Sequence, residues 1–155
     1  MAKGGGQRDI ARNRKAYFNF HILEKYEAGI ALLGAEVKSV RGGGISLKEG
    51  FAVMKEGELW LVGVQISPYK NAAGHAAPDP LRSRKLLLHR RELDKIAGKV
   101  QAKGLTIVPL RVYINNNRVK VEVGLARGKK KYDKKQDIIE KDLKREVDRA
   151  VKAHS

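Results

Sequence analysis

The chain contains no cysteine, which excludes disulfides and thiolate-ligated zinc sites at the outset. It also lacks any apolar run near the roughly 18–20 residues that a membrane-spanning helix needs. Its first residues, Met1-Ala2-Lys3-Gly4-Gly5-Gly6, lead into polar and basic positions and not into the apolar core of a signal peptide. A cytoplasmic protein without a membrane partner is therefore expected. Acidic residues are scarce as well. Seventeen Asp and Glu stand against 33 Lys and Arg, a formal net charge of +16. That exceeds the roughly 2–8 units sufficient to keep a small domain soluble. Such a charge concentrates polyanions at the surface and speeds encounter with them. Nucleic acid is the first candidate partner and an anionic membrane the second; charge alone does not separate DNA from RNA.

The residue patterns of catalysis are missing too. His21, His75, His89 and His154 have no metal-ligand spacing. Ser39, Ser46, Ser67 and Ser83 lack the neighbours that would activate a nucleophile. Glu24, Glu27 and Glu36 are spread through early strand-like sequence and do not pair as an acid and a base. Arg41-Gly42-Gly43-Gly44 has neither the lysine nor the following hydroxyl of a phosphate-binding loop, and reads as a tight turn. No enzyme, metal or cofactor is expected. A hydrolase of polyanions is the alternative from another class, and turnover of purified RNA separates the two.

At 155 residues and 42% hydrophobic content, the chain suits one domain with short extensions. Residues 1–15 read as a flexible basic arm opened by a glycine triplet. Residues 17–40 read as strands, with Phe18, Phe20 and Ile22 on one side. Ser46 and Glu49 have the spacing of a capping box for a short helical turn. Strands return over 51–66, broken at Lys55-Glu56-Gly57, with Trp60, Val62, Val64 and Ile66 sharing one face. Ser67 to Pro80 reads as a long exposed loop. A long helix is expected near 80–102, capped by Asp79 with Pro80 at its first position and Gly104 as its stop. Its apolar stripe is Leu86, Leu93, Ile96, Ala97 and Val100. Two strongly alternating strands then flank Asn115-Asn116-Asn117, the signature of a hairpin. Residues 16–126 thus form a mainly β body with flanking helices. A small closed antiparallel barrel of the oligonucleotide-binding kind fits its size and charge, among several β-rich options.

Residues 127–135 carry six Lys or Arg against one Asp and no aliphatic side chain. Beyond them, Ile139, Leu143, Val147, Ala150 and Val151 recur at helical spacing in a mixed-charge segment. Residues 127–155 are expected to be a basic tail, disordered or helical only with a partner.

Ordered blocks across about 13–135 resemble SmpB, the SsrA-binding protein family that partners transfer-messenger RNA. They are Asn13-Arg14-Lys15-Ala16, Tyr26-Glu27-Ala28-Gly29-Ile30, Glu36-Val37-Lys38-Ser39-Val40-Arg41 and Ile66-Ser67-Pro68-Tyr69. Asp79-Pro80, Arg84-Lys85-Leu86-Leu87-Leu88-His89, Lys103-Gly104 and Val108-Pro109-Leu110 follow. The last is Gly124-Leu125-Ala126-Arg127-Gly128-Lys129-Lys130-Lys131-Tyr132-Asp133-Lys134-Lys135. Any one block is short, but their order is specific. Lys135 departs from the arginine that ends the family's tail motif, losing a planar five-donor fork. Ser46 stands where asparagine is common, and Ala35 where threonine is.

The resemblance implies an oligonucleotide-binding-like barrel that binds the tRNA-like domain of transfer-messenger RNA. It implies delivery, with elongation factor Tu, to the stalled 70S ribosome. There the tail enters the vacant mRNA path by the small-subunit decoding region. Asn13, Arg14, Lys15, Glu27, Arg84, Lys85, Leu87 and His89 match its RNA-binding positions. Lys129, Lys130, Lys131, Tyr132, Asp133, Lys134 and Lys135 match its ribosome-facing tail. A general RNA-binding barrel is the nearest alternative, and it would bind unrelated structured RNAs equally well.

Overall fold

A computed structural model gives the fold and describes residues 7–69, 78–129, 139 and 141–145. Lys130, Lys131, Tyr132, Asp133, Lys134 and Lys135 of the expected tail lie outside these, as do residues 70–77 of the expected loop. The elements run β1 (Arg8–Arg12), α1 (Arg14–Asn19), β2 (Phe20–Ile30), α2 (Gly34–Arg41), β3 (Ile45–Ser46), β4 (Phe51–Lys55) and β5 (Glu58–Val62). They continue with β6 (Gln65–Ile66), β7 (Arg84–Leu87), α3 (Arg90–Lys103), β8 (Thr106–Asn115) and β9 (Arg118–Gly128). Seven strands pair antiparallel in the order β1-β8-β4-β5-β7-β2-β9, with β8 also pairing β9, while β3 and β6 form a separate pair. The fold is mixed: a multi-stranded sheet with flanking helices.

The hairpin of β8 and β9 forms as its alternation predicts. Asn116 and Asn117 turn with φ of 52° and 64°, the left-handed conformation that asparagine tolerates best after glycine. Val112, Val121, Val123 and Leu125 are completely buried in its inner face, and Leu110 is as deeply buried on the face that α1 covers. The register slips between Pro109 and Arg111, where the proline has no N–H to give the ladder. Strands β4 and β5 also form, around Glu56-Gly57. Their burial corrects one expectation. Leu59 and Leu61 point inward, yet so do Val64 and Ile66, which were assigned to the face of Trp60. Gly63, at φ 74°, reverses the phase, and a Cβ there would stand 2.8 Å from the Glu49 carbonyl.

Several segments fold differently from the sequence reading. The long helix expected from Pro80 begins only at Arg90, because residues 84–87 are the strand β7. Arg84 and Leu86 face inward there, held between β5 and β2 by pairings over 23 or more residues of chain that local periodicity does not register. Asp79 caps no helix; its carboxylate accepts from Leu81 N–H at 2.9 Å in a tight turn. The N-cap of α3 is His89, whose N–H donates to Glu92 at 3.3 Å. Gly104 ends α3 in the left-handed conformation, as expected.

Residues 34–41, read as strand, are the helix α2, started by a Leu33 N–H bond to Glu36 at 2.9 Å. Residues 14–19 likewise wind into α1, so β2 starts at Phe20. Ser46 lies in β3, and the turn falls one residue later, over Leu47 to Gly50, closed by the Gly50 N–H to the Leu47 carbonyl at 2.9 Å. Finally, residues 8–12 of the expected flexible arm pair with β8. Strand β9 continues to Gly128, past the expected start of the tail.

The core lies between the sheet and the helices. Leu93 and Ile96 of α3 and Val40 of α2 pack on Leu59, Leu61, Leu86, Val112 and Val123. Each such side chain stabilises the fold by roughly 1.5–3 kcal/mol on burial. A smaller cluster of Ala16, Val108, Leu110 and Ala126 fastens α1 to the hairpin.

Candidate nucleic-acid interface

Strand register decides which of the expected RNA-binding residues meet. Gly29 faces Leu87 on one side and Lys120 on the other, and Lys120 faces Tyr113. Two residues along, Glu27 faces Glu122, and Glu122 faces Arg111. These two rows cross the outer surface of the sheet. Beside them, His89 at the start of α3 closes one wall of an open groove of about 590 Å³. Glu27, Leu87, His89, Arg118 and Lys120 all line it. The register and the turn into α3 thus unite residues 27, 87 and 89. Leu87 is 49% exposed, because the phase of β7 turns it away from the core that holds Leu86. A leucine so placed offers an apolar contact instead of packing.

Glu27 is exposed and accepts a hydrogen bond from the Tyr113 hydroxyl. Burial raises the Tyr113 phenol above its ordinary pKa, and the bond to Glu27 raises it further. Arg111 lies over the Tyr113 ring at 4.1 Å and meets Asp9 at 2.7 Å and Glu122 at 3.4 Å. The hydrogen bond from Arg12, with further help from Arg111, holds the Asp9 carboxyl below its usual range against the opposing effect of desolvation. This polar network fastens β1 to the rim beside Glu27. On the neighbouring surface, Lys99 meets Glu24, and Glu24 accepts from Tyr26 at 2.6 Å. Burial first, then that bond, pushes the Tyr26 phenol up to about 12.

The remaining candidates divide by burial. Arg14 and Lys15 are exposed on α1, with Lys15 bonded to Glu49 at 3.0 Å. Asn13 is 5% exposed and is the N-cap of α1. Its side-chain oxygen accepts from Ala16 N–H at 3.1 Å, and its amide donates to the carbonyls of Leu47 and Pro109 at 3.2 and 2.9 Å. Asn13 therefore orients the basic residues that follow it. Lys85 is half-exposed, 3.4 Å from Glu58.

Arg84 corrects the expectation of a phosphate contact. It is 0% exposed, and its guanidinium is held by Glu36 at 2.8 and 3.0 Å and by the carbonyls of Val64 and Pro80. A phosphate would reach it only by opening the core. Of the tail residues, Lys129 is described: its N–H donates to the Asn19 carbonyl at 2.8 Å and its ammonium to the Tyr17 carbonyl at 3.0 Å. The tail thus departs from the end of α1.

Sequence reasoning missed Arg118, Lys120 and Tyr113. The period-two pattern of β9 does set Arg118 and Lys120 on the side opposite Val119 and Val121, so their exposure was available from the sequence. Nothing local links Tyr113 to Glu27, 86 residues away. Among the described residues, no three His, Asp or Glu side chains cluster as metal ligands, and no helix is long and apolar enough to cross a membrane.

The family model described as SmpB protein matches residues 10–153. An SsrA-binding protein of Thermosynechococcus vestitus is 53% identical, covering 92% of this chain and 94% of its own. One of Trichodesmium erythraeum is 51% identical over 99% of this chain and 100% of its own. Among solved structures, a chain described as "tmRNA-SmpB: a journey to the center of the bacterial ribosome" matches with a TM-score of 0.64 and 51% identity. It covers 78% of this chain and 85% of that one.

Proposed function

The chain belongs to the SmpB protein family, and from that premise we propose that it binds transfer-messenger RNA and delivers it to stalled ribosomes in trans-translation. Its role is that of a non-catalytic adaptor in ribosome rescue. The supporting observation is the groove, where Glu27, Leu87 and His89 converge with Arg118 and Lys120. An acceptor, an apolar contact, a ring with two nitrogens and two cations are what an RNA surface of unstacked bases and phosphates requires.

In this reading Glu27 accepts from the RNA, His89 hydrogen-bonds or stacks, and Leu87 makes apolar contact. Arg118, Lys120 and Lys85 meet phosphates, with Arg14 and Lys15 on a second basic surface set in place by Asn13. The sheet is read as a closed barrel of the oligonucleotide-binding kind, since the strand order that begins at β8 comes back to β8 through β9. The tail from Lys129 to Lys135 takes the mRNA path at the small-subunit decoding region of the 70S ribosome. Elongation factor Tu completes the delivery complex, and the place of action is the cytoplasm.

The test is the affinity of the full chain for the tRNA-like domain of transfer-messenger RNA at matched salt. Glu27→Ala and His89→Ala each weaken it on the order of tenfold, the loss of one hydrogen bond in a desolvated interface. Unchanged dissociation constants in both variants reject the groove. Equal affinity of the unaltered protein for unrelated structured RNAs selects a general RNA-binding barrel instead.

A further inference from the structure

The carboxylate of Glu27 is oddly placed for a residue of purely structural use. It stands directly across from Glu122 on the neighbouring strand, an arrangement that costs stability through like-charge repulsion. Arg111 is engaged by Asp9 and Glu122, so it screens Glu122 but forms no ion pair with Glu27. Among the described residues Glu27 forms no ion pair, and its hydrogen-bond partner is the neutral phenol of Tyr113. Tyr113 is 2% exposed and comes from two strands away, so its hydroxyl reaches across β9 to the groove. Its ring is clamped by Arg111 at 4.1 Å, which leaves the hydroxyl little freedom. A rigid donor thus holds one oxygen of an exposed carboxylate, Oε2, at the edge of a groove lined by Lys120 and His89.

We infer that Tyr113 is a positioning residue for RNA recognition, fixing Glu27 so that its second oxygen meets a hydrogen-bond donor of the RNA. This rests on the groove being the RNA site. The donor is a base N–H, amino or imino, or a ribose 2′-hydroxyl, the groups on an RNA surface that a carboxylate accepts from. Preorganisation is the physical gain, because a free glutamate loses side-chain entropy on binding and a held one has already lost it. Arg111 serves the same end by clamping the ring, and Asp9 and Glu122 by holding Arg111.

The experiment is a double-mutant cycle with the full chain and the tRNA-like domain of transfer-messenger RNA. Tyr113→Phe keeps the ring under Arg111 and removes only the hydroxyl. It weakens binding roughly three- to tenfold, the cost of ordering a Glu27 side chain that is no longer held. In the Glu27→Ala background the same change has no further effect. The slope of log affinity against log salt stays as in the unaltered protein, because no phosphate contact is lost; general damage to the basic surface lowers it.

A Tyr113→Phe affinity within twofold of the unaltered protein, with Glu27→Ala weakened, overturns the inference and leaves the groove standing. Additive losses overturn it too. If Glu27→Ala itself binds normally, the groove reading has failed first. A second measurement needs no variant. The ¹³Cζ resonance of Tyr113 moves in step with RNA saturation when Glu27 is engaged, and a resonance that stays fixed overturns the inference. Single 2′-deoxy substitutions through the RNA identify the donor. One position that abolishes the difference between the unaltered protein and Glu27→Ala assigns a hydroxyl, and none assigns a base N–H.

Discussion

Glu36 lies 3% exposed between two arginines, bonded to Arg82 at 2.5 Å and Arg84 at 2.8 Å, with the Leu33 N–H as a third donor. Burial alone would raise its carboxyl above the ordinary 4.5, but the bonds from Arg82, Leu33 and Arg84 together bring it below that value. A carboxyl with a lowered folded-state pKa adds stability that is fully present above its unfolded value and is lost as pH falls through the folded one. Unfolding free energy therefore declines as pH drops below about 4.5. Glu36→Gln leaves the Arg84 guanidinium buried without a counter-charge and costs about 3–5 kcal/mol at neutral pH. The same variant flattens the acid limb of the profile. Urea unfolding between pH 3 and 7 checks both effects, and a variant as stable as the parent rejects the account. Glu36 and Arg84 belong to family-like blocks, so the sequence marked them as important. That they serve the core and not RNA followed only from their burial.

At the scale of elements, the hairpin shows where local chemistry suffices. Alternation over 106–115 and 118–128 and two asparagines at the turn specify both strands and their connection. Asn117→Val puts a β-branched side chain at φ 64° and destabilises the body by about 1–2 kcal/mol. A thermal or urea midpoint that does not move contradicts it. The segment 80–89 shows where local chemistry falls short. Its leucines and basic residues suit a helix as well as a strand, and β7 exists because β5 and β2 offer open edges to either side. The same register exposes Leu87 and buries Leu86, so a misread element also misplaces a site residue. Residues 34–41 fail in the same way. Their valines suit a strand, and the choice of α2 goes with a Glu36 side chain bonded to Leu33 at its start and to Arg82 and Arg84 on the sheet side.

For the whole molecule, a net charge of +16 predicts a polyanionic partner and a salt-sensitive affinity. The division of labour gives a sharper expectation. Truncation before Lys129 retains the groove and the α1 surface, so affinity for transfer-messenger RNA stays within a few-fold. Tagging of incomplete peptides on stalled ribosomes is lost in the same variant. Normal tagging by the truncated chain defeats the tail assignment. Loss of RNA binding instead shows that the tail contributes to the body's surface, a consequence to weigh because Lys129 is bonded to Tyr17 and Asn19.

The amino-acid sequence alone determined the basic character, the hairpin and the family-like blocks, because composition, period-two alternation and short motifs are local properties of the chain. It marked Glu27, Leu87 and His89 as separate positions. Only the tertiary structure decided that they share one groove with Arg118 and Lys120, that Arg84 is sealed in the core, and that Tyr113 holds Glu27. The physical reason is register. Which residues face one another across a sheet depends on pairings between distant strands, and a shift of one residue would turn each of these side chains to the opposite face.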